Sequence, residues 1–245
     1  MTSLTGAGGW MVLLGTFFGA YLIGSIPCAY LIVRGVTGED ITQHGSGNVG
    51  SMNVRRTTGS WGWFALAVLG DGMKGLVPTL IAKAWSSGVP VLSLAAFKPW
   101  GETLATINSV WWHNPLFWVP MAAVAGAVMG HNYSAWMALI ERSFHRTGKG
   151  LATGAGALLA YDWRYFLAVL VVGLAVIALT RYMMAGQVAA AVTLPIAALA
   201  LGSPDWAFVF AMGALVYAAH HKRFIGMLAG REPKLYVNDG SGPRG

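Results

Sequence analysis

Six stretches of this chain, residues 12–33, 61–81, 117–129, 166–179, 188–201 and 206–219, run almost free of charge. Runs of this length point to helices in lipid, because a helix satisfies its own backbone hydrogen bonds and needs about 20 mostly apolar residues to cross. Shorter runs reach across where the bilayer thins or polar flanks snorkel. A seventh run, 151–160, is too short alone, but a helix drawn out from near Lys149 to Trp163 would reach. The expectation is an all-α integral membrane protein with about seven transmembrane helices. Composition agrees: only 10% of the 245 residues are charged, against about 25% in a soluble domain. The first run has no basic stretch before it and continues into Pro27 and Arg34, so it reads as an anchor rather than a cleaved signal.

The basic residues set the orientation. With the N-terminus outside, 12 of the 16 Lys and Arg fall in cytoplasmic loops or the C-terminal tail, including Arg34, Arg55, Arg56, Arg142, Arg146, Lys149 and Arg181. Lys83, Lys98 and Arg164 fall outside, and Lys74 lies within a span. That asymmetry fits the positive-inside rule, with the C-terminus cytoplasmic. The net charge of +7 then reflects loops facing anionic lipid and does not call for nucleic acid. Cys28 is the sole cysteine, so no intrachain disulfide forms. No internal repeat is evident, and the expectation is one membrane domain over residues 1–239 with a flexible tail at 240–245. The Trp-rich stretch, residues 86–115, becomes an outer loop.

The polar motifs gather on the cytoplasmic side. Gly45-Ser46-Gly47-Asn48-Val49-Gly50-Ser51-Met52-Asn53 is followed by Arg55 and Arg56. Closely spaced glycines let several amide N–H groups point into one concavity, which suits an anion. Ser46, Asn48 and Asn53 add neutral hydrogen-bonding groups, and an arginine adds a planar cation suited to phosphate. The alternative is a loop whose arginines only set topology. Thr147-Gly148-Lys149-Gly150 precedes a helix, where a lysine, exposed amides and the positive end of the helix dipole combine. It is not a P-loop, since Gly150 stands where Ser or Thr should bind magnesium. A snorkelling lysine is the alternative there. Asp71 and Lys74 lie inside a span, three residues apart and so on one face, where they can neutralise each other. His131 and His220 fall at span ends, with no Cys or carboxylate at metal-ligand spacing. A Gly-x-Ser-x-Gly elbow and a His-x4-Asp dyad are both missing from the sequence. An enzyme built this way works by binding and polarising an already activated substrate.

Together these motifs resemble the PlsY family of bacterial membrane acyltransferases. Gly24-Ser25-Ile26-Pro27 is similar to that family's Gly-Ser-Ile-Pro. Ser46-Gly47-Asn48-Val49-Gly50 with Asn53 and Arg56 is similar to Ser-Gly-Asn-x-Gly-Ala-Thr-Asn-x-x-Arg. Asp71-Gly72-Met73-Lys74-Gly75 is similar to Asp-x-x-Lys-Gly. Gly130-His131, then Gly148-Lys149-Gly150-Leu151-Ala152-Thr153, resembles Gly-His and Gly-Lys-Gly-Val-Ala-Thr, and His220 and Glu232 fall where the family has His and Gly-x-Glu. The resemblance runs in order over residues 20–235.

The resemblance implies acyl transfer from acyl-phosphate to glycerol 3-phosphate at the cytoplasmic face of a bacterial membrane, without cofactor or metal. It implies catalytic roles for Ser46, Asn48, Arg56, Lys149 and His220. Phosphate binding would fall to Gly45, Gly47, Gly50, Asn53, Gly148, Gly150 and Thr153, with Asp71, Lys74, His131 and Arg223 in support. Met52 stands where the family has Thr, and Thr147 where its Gly-Gly-Lys-Gly has the first Gly. The His-x-x-Asn of the family reads His220-His221-Lys222-Arg223, which puts a permanent cation in place of a neutral donor–acceptor. A different phosphorylated polyol or glycolipid acceptor is therefore a second reading. A transporter is a third, disfavoured because the polar motifs lie at one face rather than near the midplane.

Overall fold

The computed structural model describes residues 7–100, 102 and 115–231. Glu232, the 240–245 tail, Trp111 and Trp112 lie outside the described residues, as does the side chain of Arg223. All regular structure among the described residues is helical, in ten α-helices and two short 3-10 turns. The chain falls into two compact units, residues 1–166 and 167–245.

In the first unit, the run expected to form one span is two helices, α1 (Ala7–Gly24) and α2 (Cys28–Thr37). Pro27 causes the break: it has no N–H to donate, and its ring disfavours helical geometry at Ile26. After the 3-10 turn Ile41–Gln43 and the glycine loop comes α3 (Ser51–Thr58), stopped by Gly59 in the left-handed conformation. Ser60 then caps α4 (Trp61–Ser87) through the Trp63 amide. The 27 residues of α4 reach about 40 Å, more than the thickness of a hydrocarbon core. The 3-10 turn Leu94–Phe97 follows, then α5 (Pro115–Asn132), the short α6 (Ala135–Glu141) and α7 (Leu151–Tyr161).

α7 is shorter than the helix drawn from 149 to 163. Gly150, at φ 74°, caps its start, and Asp162 in extended conformation ends it. Eleven residues rise only about 16 Å, roughly half of the hydrocarbon depth. Its last carbonyls have no helical donors, and Lys83 supplies them. Lys83 was expected in an outer loop. It lies in α4 instead, buried, and donates to the Ala160 and Tyr161 carbonyls and to that of Lys98. Here a charge serves as a helix cap.

Packing in the unit is α1 against α5 and α4 against α7, with α4 also touching α5. Lipid tails are as apolar as the side chains, so helices in a membrane associate through close backbone approach at small residues. Gly75 on α4 faces the Thr153 carbonyl of α7, and Gly156 on α7 faces Gly72, so a Cβ at either would run into backbone. Gly126 and Gly130 on α5 meet the α1 backbone at Phe17 and Tyr21 in the same way.

The second unit carries α8 (Trp163–Thr180) from residue 167 onward, with α9 (Met183–Ala200) and α10 (Trp206–Leu228). α9 packs along α10, and Gly213 approaches the Ala191 carbonyl. The first of the seven expected runs is split over α1 and α2, and the other six fall on single helices to within one residue. Four segments among the described residues are long and apolar enough to cross a membrane: Gly8–Thr37, Trp61–Ser87, Trp163–Thr180 and Met183–Ala200.

Close approach at Gly75 makes a prediction. Gly75→Ala should lower stability by about 1–3 kcal/mol through overpacking against backbone. Gly19→Ala, where a Cβ meets nothing, should leave it unchanged or slightly raised by helix propensity. Unfolding of the two variants in detergent separates these outcomes, and equal stability would refute the packing account.

Candidate functional site

The interruption at Ser25, Ile26 and Pro27 leaves carbonyls short of helical donors, and two side chains answer them, Lys74 of α4 and Ser134 at the start of α6. Lys74 Nζ donates to the Ile26 carbonyl at 2.8 Å and pairs with Asp71 Oδ1 at 2.9 Å. Both residues are buried. The expected i,i+3 pair therefore forms, and its cation also holds the broken helix. The His131 ring is buried beside it, with Nδ1 3.7 Å from the same carboxylate oxygen. Ser134 Oγ donates to the Ser25 carbonyl at 2.5 Å while capping α6 through the Met137 amide. Ser25 Oγ in turn accepts from the Ala135 amide at 3.3 Å.

Beyond α2 the chain turns back through the glycine loop. Gly45 and Gly47 have φ of 56° and 69°, conformations that suit residues without a Cβ. The loop closes around one side chain. Asn53 is 1% exposed, and its Nδ2 meets the carbonyls of Ile41, His44 and Asn48 at 3.0, 2.9 and 3.1 Å. Its Oδ1 accepts from the Ser46 amide at 3.1 Å. Expected as a phosphate ligand, Asn53 instead has its side chain turned inward and shapes the loop. Ser46 is exposed, and Asn48 and Gly50 are half-buried on the rim. Of the two arginines, Arg55 lies over the Trp61 ring at 4.9 Å, a cation–π contact. Arg56 is exposed and runs its Cδ beside Gly45.

The second cluster packs against this loop. The Val49 amide donates to the Thr147 carbonyl at 3.0 Å, and the Thr147 amide to the Asn132 carbonyl at 2.8 Å. Gly148 sits against the His131 ring, where a Cβ would overlap Nε2. Lys149 follows, half-buried, one residue before the Gly150 cap of α7. Arg146 Nε donates to the Gly148 carbonyl at 3.0 Å. Thr153, expected to touch phosphate, is fully buried inside α7, with no hydrogen-bond partner for its hydroxyl and its carbonyl against Gly75. A small opening lies between these parts, lined by Ser25, Val49, Lys74, His131, Ser134 and Thr147.

His220 belongs to the second unit. It is 1% exposed on α10, with Nδ1 2.7 Å from the Val216 carbonyl. Among the described residues no three His, Cys, Asp or Glu side chains gather as metal ligands would. Sequence reasoning gave Ser25 no role and passed over Ser134. The Ser–Ala–Trp–Met start of α6 is a capping signal, but a partner 109 residues away in sequence has no local trace.

The first unit thus places glycine-loop amides, an exposed arginine and a Gly-Lys-Gly turn side by side. That chemistry belongs to a membrane protein that handles an anionic head group. Comparison with known proteins agrees. The profile described as glycerol-3-phosphate acyltransferase matches residues 14–230. The glycerol-3-phosphate acyltransferase of Synechococcus sp. (strain JA-3-3Ab) is 36% identical, with 92% of this chain and 95% of that protein covered. One from Thermus thermophilus is 34% identical, over 92% and 94%. Crystal structures of PlsY, an integral membrane glycerol 3-phosphate acyltransferase, superpose in two forms. The glycerol 3-phosphate form gives a TM-score of 0.69 at 25% identity, covering 91% of this chain and 94% of that one. The lysophosphatidic acid form gives 0.67 at 26% identity with the same coverage. This chain belongs to the glycerol-3-phosphate acyltransferase family and is an all-helical membrane protein.

The buried pair can be tested by a double-mutant cycle. Lys74→Met strands the Asp71 carboxylate and should cost about 3–5 kcal/mol, the penalty for one partner of a buried pair. Adding Asp71→Leu should recover part of that loss. Strictly additive losses in equilibrium unfolding would show that the two side chains do not interact.

Proposed function

We propose that this protein transfers a fatty acyl chain from acyl-phosphate to a hydroxyl of glycerol 3-phosphate, giving lysophosphatidic acid and inorganic phosphate. The observation that carries the reading furthest is the bond from the Val49 amide to the Thr147 carbonyl. It sets the glycine loop beside the Gly148-Lys149-Gly150 turn, so that two anion-binding segments share one mouth. Family membership supplies the substrate class.

In this reading the amides of Gly45, Asn48 and Gly50 and those of the Gly148-Lys149-Gly150 turn bind phosphate, with Arg56 and Lys149 supplying charge. The amides of Ser46, Gly47 and Val49 are spent on Asn53, His44 and Thr147, so Gly47 contributes the turn rather than a donor. Arg56 is favoured over Arg55, whose guanidinium is engaged with Trp61. Ser46 and Asn48 on the loop rim orient the head group, and Asn53 keeps the loop in shape. The acceptor hydroxyl oxygen attacks the acyl carbonyl carbon, the bond from that carbon to the phosphate oxygen breaks, and the departing phosphate carries away the proton. Acyl-phosphate is a mixed anhydride with a good leaving group, so the reaction needs no acyl-enzyme. What the protein contributes is proximity and electrostatic stabilisation of developing charge. His220 and Arg223 enter this proposal through the family resemblance.

The same proposal includes seven spans, an outside N-terminus and a mouth facing the cytoplasm of a bacterial cell. Its support is the 12-to-3 split of basic residues between the two sides.

The test uses protein purified into lipid, palmitoyl-phosphate and labelled glycerol 3-phosphate, with glycerol and other phosphorylated polyols as competing acceptors. Labelled lysophosphatidic acid is expected, with phosphorylated acceptors outcompeting glycerol. A charge-assisted hydrogen bond contributes about 1.5–3 kcal/mol, so Arg56→Ala and Lys149→Ala should each slow turnover roughly 10- to 150-fold while remaining folded. Wild-type rates in a folded Arg56→Ala protein would refute the site. Consumption of acyl-phosphate with another acceptor alone would refute glycerol 3-phosphate as the substrate.

A further inference from the structure

The residue that joins the glycine loop to the end of α5 does so with its side chain as well as its main chain. Thr147 is 4% exposed and has no charge, yet its amide, carbonyl and hydroxyl all bond to other segments. Its amide donates to the Asn132 carbonyl at the end of α5, and its carbonyl accepts from the Val49 amide in the glycine loop. Its hydroxyl donates to the His131 carbonyl at 3.1 Å and accepts from the Ser134 amide at 3.3 Å. Ser134 carries the connection on to the Ser25 carbonyl at the helix break. Immediately after Thr147 comes Gly148, held against the His131 ring, and then Lys149.

We infer that Thr147 is a positioning residue for acyl transfer: its side chain fixes the turn that carries Lys149 to the end of α5, and its carbonyl holds the glycine loop at a set distance from that turn. The inference rests on the acyltransfer reading above, since it concerns the spacing between two segments assigned there to phosphate. A site that grips an anion with fixed dipoles depends on their being in place beforehand. A 1 Å drift in one segment is enough to cost a large factor in rate or binding.

Removing the hydroxyl has a defined consequence. Thr147→Val keeps the shape and both main-chain bonds of residue 147 but strands a buried carbonyl at His131 and a buried amide at Ser134. Unpaired groups of this kind drive local rearrangement, and the movement should separate loop from turn. Thr147→Ser restores donor and acceptor and should restore function.

The experiment measures KM for glycerol 3-phosphate and kcat in lipid for wild type, Thr147→Val and Thr147→Ser. Alongside it, hydrogen exchange is followed at the peptide containing Val49, because its amide is the bond that couples the loops. The expected result is a KM raised about tenfold in Thr147→Val, kcat within about twofold, near wild-type values in Thr147→Ser, and faster exchange at Val49. A merely structural role would lower the active fraction, and so kcat, at unchanged KM; that outcome overturns the proposal. An impaired Thr147→Ser, or unaltered exchange at Val49 in Thr147→Val, overturns it too. If wild type makes no lysophosphatidic acid, the acyltransfer reading falls by itself, and exchange at Val49 decides alone whether the clasp exists.

Discussion

Lys74 carries an ammonium group into the interior of a helix that runs through lipid, and what it meets there organises its surroundings. An unpaired cation at the centre of a membrane helix costs about 2.5–3.5 kcal/mol on insertion scales. Asp71 offsets part of that cost by pairing at 2.9 Å. The remaining donors of the ammonium allow it to reach the Ile26 carbonyl, in the break between α1 and α2. A broken helix is tolerated at membrane depth only where protein groups satisfy its backbone. The Asp71–Lys74 pair and the Ser25–Ser134 contacts do this together. The break in turn lets the chain leave α1, form α2 and fold back as the glycine loop.

From there the candidate site follows by short steps. Asn53 gathers three carbonyls and one amide and so gives the loop its outline. Thr147 ties that loop to the end of α5 and to the turn before α7. At the mouth lie Ser46 and Arg56, both exposed, and Lys149, half-buried between two buried glycines. Work is divided between inward-facing polar side chains, which set positions, and those at the mouth, to which the proposal assigns the ligand. α7 fits this arrangement because its half-length places its N-terminus, with Gly150 and Lys149, next to the glycine loop, while Lys83 closes its other end.

Much of this is legible in the sequence. Apolar run length finds the helical stretches, because a membrane demands about 20 residues of one character, but it misses the break at Pro27 and the half-length of α7. The Asp71–Lys74 spacing announces their pairing, since three residues put both on one face. What escapes notice depends on contacts distant in sequence. An asparagine among glycines looks the same whether it faces water or three carbonyls, so Asn53 reads as a ligand. Lys83 reads as a topology marker because sequence shows its charge but not the helix end 77 residues further on. Arg55 and Arg56 are equivalent until Trp61 comes to lie under one of them. The half-length of α7 turns on Asp162 adopting an extended conformation, which periodicity does not register.

The central claim is that the glycine loop and the Gly148-Lys149-Gly150 turn form one phosphate site. The most direct measurement is an experimental structure of this protein with glycerol 3-phosphate bound. The account predicts phosphate oxygens at about 3 Å, hydrogen-bonding distance, from the main-chain amides of Gly45, Asn48 or Gly50 and from Lys149 Nζ, with Arg56 turned toward them. A phosphate bound away from either segment, with loop and turn unchanged, would contradict it.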